Sequence, residues 1–507
     1  MTLVSSVSGL ARDVVLANLL GDRAAADVFL VAFRIPNFFR RITAEGAFAA
    51  AFVPVFTEFR EQRSALEGRR FLELTLGRFG LVLLLVSIVG VLAAPWLVKV
   101  IAWGFSDEPE KFRLTVEATR ITFPYLFFIS LVAMAGAMLN TCGRFAAPAA
   151  TPVLLNICLI LAAWLLVPLT GSGPIGLSMG VLIAGIVQLL FQAPFLRRES
   201  LLVKPRLRVR DEDRAALTGS HQVFRLMLPA IFGVSVAQIN VLVNTLLASF
   251  LVTGSISWLY YSDRLMEFPV GVFGIALGTV ILPSLSRQHA ADSPQQFSST
   301  LDWGMRWVFL ICVPAAVGLI LLAVPLVSTI FYHGDFTRNG VGMAARSLVA
   351  FSLGLLPIVM VKVLAPGYYA RKNTATPVRI GVIAVVVNIV FSLLLFLPMQ
   401  HVGLAAATSI AAMVNAGLLY SGLRREGVLN PESGWIALLI RIGFASMAMG
   451  ILLWFGMGEP TWWLDQTVWQ RVLRLTWLVP AAGFLYFVLL ILLRVPLKSL
   501  LLGQQNP

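Results

Sequence analysis

FGLVLLLVSIVGVLAAPWLVKVIA, residues 79–102, holds one charged side chain, Lys99, near its end. A helix needs about 20 apolar residues to span the ~30 Å hydrocarbon core of a bilayer, and this run supplies them. Strands of a membrane barrel alternate apolar and polar residues. This stretch does not alternate, so it predicts a helix. Only helices and closed barrels satisfy every backbone group in lipid.

The same pattern recurs from end to end. Hydrophobic residues make up 58% of the 507-residue chain and charged residues 13%, against about 25% charged in soluble domains. Apolar runs predict about 14 spans, near 1–20, 25–57, 79–103, 114–140, 147–168, 174–196, 222–252, 255–285, 303–331, 342–369, 377–397, 402–422, 434–456 and 471–493. The predicted class is an all-α polytopic membrane protein.

The net charge of +14 raises the question of nucleic acid. Its distribution argues against that partner. Alternate connections are basic: Arg60, Arg63, Arg69, Arg70 and Arg78 in 58–78, then Arg197, Arg198, Lys204, Arg206, Arg208, Arg210 and Arg214 in 197–221. Arg371, Lys372 and Arg379 follow, then Arg424 with Arg425, then Arg494 with Lys498. By the positive-inside rule these connections are cytoplasmic. An even number of spans then puts both termini in the cytoplasm. Cys142, Cys158 and Cys312 are scattered, with neither metal spacing nor a disulfide framework.

The chain also repeats itself. Ala150-Thr151-Pro152, Gly176-Leu177 and Arg197-Arg198 recur as Ala375-Thr376-Pro377, Gly403-Leu404 and Arg424-Arg425, at offsets of 225, 227 and 227 residues. Arg34, Gly46, Phe48 and Pro54 likewise precede Arg264, Gly271, Phe273 and Pro283. An even number of spans per repeat predicts two parallel six-helix lobes, with the substrate site at their interface. The expected divisions are an N-terminal lobe over 1–198, a basic cytoplasmic linker over 199–221, a C-terminal lobe over 222–425 and two extra helices over 426–507. Six of the 12 Trp lie in the last region, an arrangement expected of an interfacial aromatic belt.

Charges inside the spans carry the function. A charged side chain near the bilayer midplane costs roughly 2.5–3.5 kcal/mol on insertion scales. Several arginines therefore predict an internal, water-accessible, cationic cavity and an anionic substrate. In the first span Ser5, Gly9 and Arg12 share a helical face, and an Arg12–Asp13 pair that packs helices is the alternative reading. In the second span Asp27, Arg34, Arg41 and Glu45 lie within about 40° on a straight helix, with Arg40 pointing elsewhere. Pro36 interrupts that register, so spacing leaves Arg40 and Arg41 open. Arg264 and Glu267 stand i, i+3 and form a candidate surface pair. Lys362 is a lone cation among apolar neighbours. Arginine stays charged in a poor dielectric and grips phosphate through two parallel bonds. Several converging arginines suit a diphosphate. No nucleotide-binding loop, nucleophilic triad or zinc site is present, so neither an ATP-driven pump nor a membrane hydrolase is expected.

Gly9-Leu10-Ala11-Arg12-Asp13, the run Arg34-Ile35-Pro36-Asn37-Phe38-Phe39-Arg40-Arg41, Ala44-Glu45-Gly46-Ala47-Phe48 and the run from Tyr260 to Pro269 (YYSDRLMEFP) together resemble the MurJ/MviN lipid II flippases, of the multidrug/oligosaccharidyl-lipid/polysaccharide exporter superfamily. The resemblance covers nearly the whole chain. It implies 14 helices, two six-helix lobes around a central cationic cavity, and a groove formed with the last two helices for a lipid tail. It implies a monomeric transporter in the bacterial inner membrane. Its partners would be lipid II (undecaprenyl-diphosphate-linked disaccharide-pentapeptide) and membrane lipids, with no cofactor, no metal and no bond chemistry. The family's functional positions match Arg12, Asp27, Arg40 and Arg264, so the resemblance selects Arg40 over Arg41. Glu45 and Glu267 complete the candidate substrate-binding set. Two departures stand out. Ser6 occupies a position where the family usually has arginine, and the chain starts short of the family's usual N-terminus. A related exporter of drugs or of another polyprenyl-linked oligosaccharide is the alternative function, and a non-transporting scaffold is a third.

Overall fold

The computed structural model describes residues 2–41 and 48–495. Those residues form helices and connections with no strand among them. By packing, the chain divides into two compact units, Met1–Ile256 and Ser257–Pro507.

The first unit contains α1 (Thr2–Leu20), α2 (Ala24–Arg40), α3 (Ala49–Gln62), α4 (Ala65–Leu92), α5 (Ala94–Ile101), α6 (Pro109–Thr122), α7 (Tyr125–Thr141), α8 (Ala146–Thr170), α9 (Gly173–Arg198) and α10 (Arg214–Ser249). A stack of phenylalanines holds α3 on α4: Phe48 lies 4.4 Å from Phe79 and Phe59 lies 4.5 Å from Phe71. Met134 and Met138 of α7 and Val223 and Met227 of α10 close over it. The seventh expected span, 222–252, thus lies on α10 and packs within the first unit. Elsewhere α8 and α9 approach closely because Gly180 has no side chain; a Cβ there would sit 2.4 Å from that of Ala162.

The stretch 58–78, read above as a connection, is largely helical. Ser64 caps α4: its hydroxyl accepts from the Glu67 amide at 3.2 Å, and the Glu67 carboxylate accepts from the Ser64 amide at 3.2 Å. This reciprocal cap starts the helix well ahead of the apolar run. Hydropathy marks where a helix enters lipid, and capping residues mark where it begins.

The basic segment after α9 is strapped across α4. The Arg206 amide donates to the Glu73 carbonyl at 2.9 Å, and Gly77 admits the segment, since a Cβ there would fall 2.3 Å from the Arg206 carbonyl oxygen. Arg206 grips Asp213 with its two terminal guanidinium nitrogens, Nη2 to Oδ1 at 2.9 Å and Nη1 to Oδ2 at 2.8 Å. That grip chiefly holds the Asp213 carboxyl below the usual carboxylate range; burial opposes it, and the Arg210 amide and nearby guanidinium charges add to it. A depressed folded value stabilises the strap fully above the unfolded value of about 3.9, and the contribution is lost as pH falls through the folded value. Amide exchange protection over 203–213, corrected for intrinsic rates, is expected to hold at neutral and mildly acidic pH and to fall only below about pH 4. Loss of protection already at about pH 6 would contradict this assignment.

The second unit continues with α11 (Ser255–Pro269, which begins in the first), α12 (Ile275–Ala290), α13 (Pro294–Leu321), α14 (Ala323–Phe331), α15 (Arg338–Ser352), α16 (Leu355–Tyr369), α17 (Ala375–Arg425), α18 (Trp435–Met457), α19 (Pro460–Asp465) and α20 (Val468–Leu492). A one-turn π-helix, Val270–Gly274, joins α11 to α12. α17 is two helices joined at Gln400 (φ 52°, ψ −135°) and folded back on each other, so that Asn388 Nδ2 donates to Thr408 Oγ1 at 3.3 Å. α18 and α20 pack on α13 through Leu438, Ile442, Leu478 and Tyr486, whose hydroxyl donates to the Leu310 carbonyl at 2.7 Å. The tryptophans divide. Trp454, Trp469 and Trp477 are exposed, as a belt requires, whereas Trp463 is fully buried and donates to the Met457 carbonyl.

Helix breaks fall at matching places in the two units. α4 yields to α5 at Ala93, ahead of Pro95, and α13 yields to α14 at Leu322. α6 and α7 part at Phe123-Pro124, and α15 and α16 part at Leu353-Gly354. Among the described residues, nine helical stretches have the length and apolarity to cross a bilayer. Their outward faces are bare: Leu81, Leu85, Ile88, Val89 and Leu92 of α4 are all exposed. The all-α polytopic class expected from composition is the class observed.

Candidate functional site

The first cluster is built on α1 and α8. Arg12 is 6% exposed. Its Nε and Nη2 donate to Asp13 Oδ1 at 3.0 and 2.6 Å, and Nη1 donates to Asn156 Oδ1 at 3.0 Å. The Asn156 amide donates to Ser8 Oγ at 2.9 Å, and Ser8 donates to the Ser5 carbonyl at 3.0 Å. The polar face read in the first span is therefore joined by an amide from 144 residues away. Asn156 was not singled out from sequence, although an isolated amide in an apolar span is a visible signal. Ser6 is exposed on α1, away from the buried Arg12.

On α2 the charges separate. Asp27 is buried in the first turn, where its Oδ2 accepts from the Gly254 amide at 2.7 Å and lies 3.9 Å from Lys111 Nζ. Arg34 donates to Thr245 Oγ1. Arg40, half-buried, turns back to Asn37 Oδ1 at 2.9 Å. Arg41 is exposed and reaches Gln238 Oε1 at 3.4 Å. Glu45 lies outside the described residues. The single α2 face expected on a straight helix is thus distributed among different partners.

In the second unit, Arg264 and Glu267 form the i, i+3 pair that their spacing suggested, at 2.7 Å, with side chains 32% and 49% exposed. The guanidinium also lies 5.7 Å from the Tyr260 ring centre. Lys362 on α16 is half-buried and runs its stem along the π-helix; a Cβ on Gly274 would fall 2.7 Å from Lys362 Cδ. A π-turn often marks a functional site within a helix.

Also within the second unit, α13, α16, α17 and α18 line an open groove of about 1120 Å³. Its walls are apolar, among them Met305, Phe309, Met360, Met413 and Ile436. At its rim Asp302 accepts from Trp435 Nε1 at 2.7 Å and from Arg306 Nε at 2.6 Å. Arg306 also lies 5.4 Å from the Trp435 ring.

The first unit holds a buried cation, Arg12, matched to a carboxylate and an amide, and the second holds an apolar groove. Comparison with known proteins then gives the family. The family model described as "Lipid II flippase MurJ" matches residues 16–472. A probable lipid II flippase MurJ of Haemophilus influenzae is 45% identical over 99% of both chains. One from Vibrio cholerae is 46% identical over 99% of this chain and 95% of its own. A solved structure titled lipid II flippase MurJ, inward closed conformation, superposes with a TM-score of 0.81 at 26% identity, covering 97% of this chain and 98% of that one. An inward-facing multidrug transporter of the MATE family shares the fold at a TM-score of 0.66 and 16% identity, covering 84% of this chain and 95% of its own. On these grounds the chain belongs to the lipid II flippase MurJ family.

Proposed function

We propose that this protein is a lipid II flippase of the bacterial inner membrane. It moves undecaprenyl-diphosphate-linked disaccharide-pentapeptide from the inner to the outer leaflet by alternating access, working as a monomer with both termini cytoplasmic. It is a transporter and makes or breaks no bond. Fourteen crossings are proposed, in two six-helix lobes plus two further helices. The matching helix breaks at Ala93 and Leu322, and at Phe123-Pro124 and Leu353-Gly354, support the duplication.

The observation that carries the reading is the Arg264–Glu267 fork. A guanidinium set in a membrane helix is a third exposed, and its carboxylate partner is more exposed still. An exposed pair of this kind is worth only about 0–1 kcal/mol. A diphosphate, with more charge and more acceptor oxygens, competes for the same donors. Arg12 and Arg40 are the proposed substrate-binding arginines of the first unit. Asp13 compensates Arg12 until substrate arrives. Asp27, through the Gly254 amide, closes the face opposite the basic connections. The apolar groove between α13 and α18 receives the polyprenyl tail while Arg306 and Trp435 stay at the lipid–water boundary.

Complementation tests the function. Cells depleted of their own lipid II flippase and supplied with this chain are expected to keep growing without accumulating lipid-linked precursor. Lysis with precursor accumulation, alongside raised tolerance to cationic drugs, would instead favour the exporter alternative.

A further inference from the structure

Lys362 is a cation with nothing to hold. Among the described residues it has no hydrogen-bond or ion-pair partner. Other cations of the second unit are provided for. Arg264 has Glu267, Arg306 has Asp302, and Arg471 has the carbonyls of Ser328, Tyr332 and Gln466. No Asp or Glu lies on α16, on α12 or in the π-helix that leads into α12.

Two observations fix where the ammonium stands. The first is its depth. The Lys362 stem lies along Gly274, where an added Cβ would be 2.7 Å from Cδ, 3.2 Å from Cε and 3.5 Å from Nζ. Gly274 is near the middle of the run from Ser255 to Ala290, so this lysine is not reaching for an interface. The second is what surrounds its helix. From Leu355 to Tyr368 no residue of α16 is exposed, in contrast to the bare faces of α18 and α20. The half-buried Lys362 side chain therefore opens onto space inside the protein rather than onto lipid. At Gly271 and Gly278, on either side of Gly274, an added Cβ would meet no described atom within 4 Å. The main chain is thus uncovered around the lysine contact. A charge at that depth is costly and marks a site for an anion.

The inference rests on the flippase reading above, which limits the choice of anion. Lipid II is anionic at its diphosphate and at the carboxylates of its pentapeptide. The diphosphate is assigned to Arg264, whose guanidinium lies beside Tyr260 and Glu267. Gly274 is ten residues further on, about 15 Å of helix. Two phosphates that share an oxygen do not span that distance. The tail groove is elsewhere too: Leu356, Pro357 and Met360 line it, and Lys362 stands roughly opposite them around α16. The peptide remains. A lysine ammonium, a compact charge without the arginine fork, suits a single carboxylate.

We propose that Lys362 is a substrate-binding residue for the peptide of lipid II: its ammonium, held on Gly274, takes a carboxylate of the pentapeptide.

The test is binding of defined lipids to the purified full chain in nanodiscs. The ligands are lipid II, a synthetic lipid II whose peptide carboxylates are all carboxamides, and undecaprenyl diphosphate. Lys362→Met is expected to weaken lipid II at least about tenfold, the loss of one charge-assisted hydrogen bond. It should leave the other two ligands unchanged, which also shows that the variant is folded. Lys362→Arg keeps the cation and should bind lipid II nearly as the parent does. Gly274→Ala displaces the stem without removing the charge, and should weaken lipid II alone, by a smaller factor. Equal weakening of lipid II and its carboxamide form by Lys362→Met would assign the lysine to the diphosphate or to the fold, and would overturn the proposal. So would unchanged binding of lipid II by Lys362→Met while the parent binds it well, and the flippase reading would then stand. If the parent binds none of the three lipids, the flippase reading fails and the Lys362 assignment falls with it.

Discussion

Arg264→Ala is expected to abolish lipid II flipping while leaving the protein inserted and folded. The two effects separate because of where the side chain sits. Arg264 is a third exposed and its partner Glu267 half exposed, so the fold loses at most about 1 kcal/mol when the pair is removed. The substrate loses far more. Hydrogen bonds to charged groups contribute about 1.5–3 kcal/mol each, and a guanidinium offers a diphosphate two of them in parallel. Losing both lowers transport by two orders of magnitude or more, by the rule that about 1.4 kcal/mol is tenfold. Arg264→Lys keeps the charge without the fork and should retain partial activity. Flipping at matched expression is the measurement, with thermal stability in detergent as the control. Normal complementation by Arg264→Ala at native expression would remove Arg264 from the site.

Arg12→Ala is expected to fail differently, losing stability as well as function. Arg12 is 6% exposed and is bound to Asp13, itself 1% exposed, and to Asn156. Truncation takes the cation away from a buried carboxylate, and breaking one side of a buried pair costs about 3–5 kcal/mol. The companion variant Arg12→Ala/Asp13→Ala removes both charges. It should regain most of the lost stability and none of the flipping. That split separates two roles first read as alternatives: a helix-packing pair and a phosphate grip. If the double variant regains transport, Arg12 is a packing residue only. If Arg12→Ala is as stable as the parent, the buried-pair account is wrong.

These two arginines also show what spacing in a sequence can and cannot reveal. Arg264–Glu267 was legible because both partners lie on one helix three residues apart, where spacing fixes the distance. The class of fold was legible for a similar reason: apolar runs report directly on length in lipid. Arg12–Asn156 and Asp27–Lys111 were not, since each partner comes from a different helix far along the chain. The helix wheel on α2 failed for another reason. It assumes one straight helix, and Pro36 lies within that helix while Arg34, Arg40 and Arg41 find separate partners. The stretch 58–78 was misread as a connection because charge suggested a loop, while the Ser64–Glu67 cap starts a helix there. Tryptophan position was half informative. An aromatic near a helix end suggests the interface, but Trp463 is buried by α19 folding back, which the sequence does not announce.

Leaflet accessibility decides whether this chain carries lipid II across the bilayer by means of its arginines. Cells depleted of their own flippase and expressing this chain are exposed to a membrane-impermeant enzyme that cleaves lipid II at the outer surface. Lipid II is expected to be cleaved in cells carrying the parent chain and protected in cells carrying Arg264→Ala at equal expression. Protection in both, or equal cleavage in both, would contradict it.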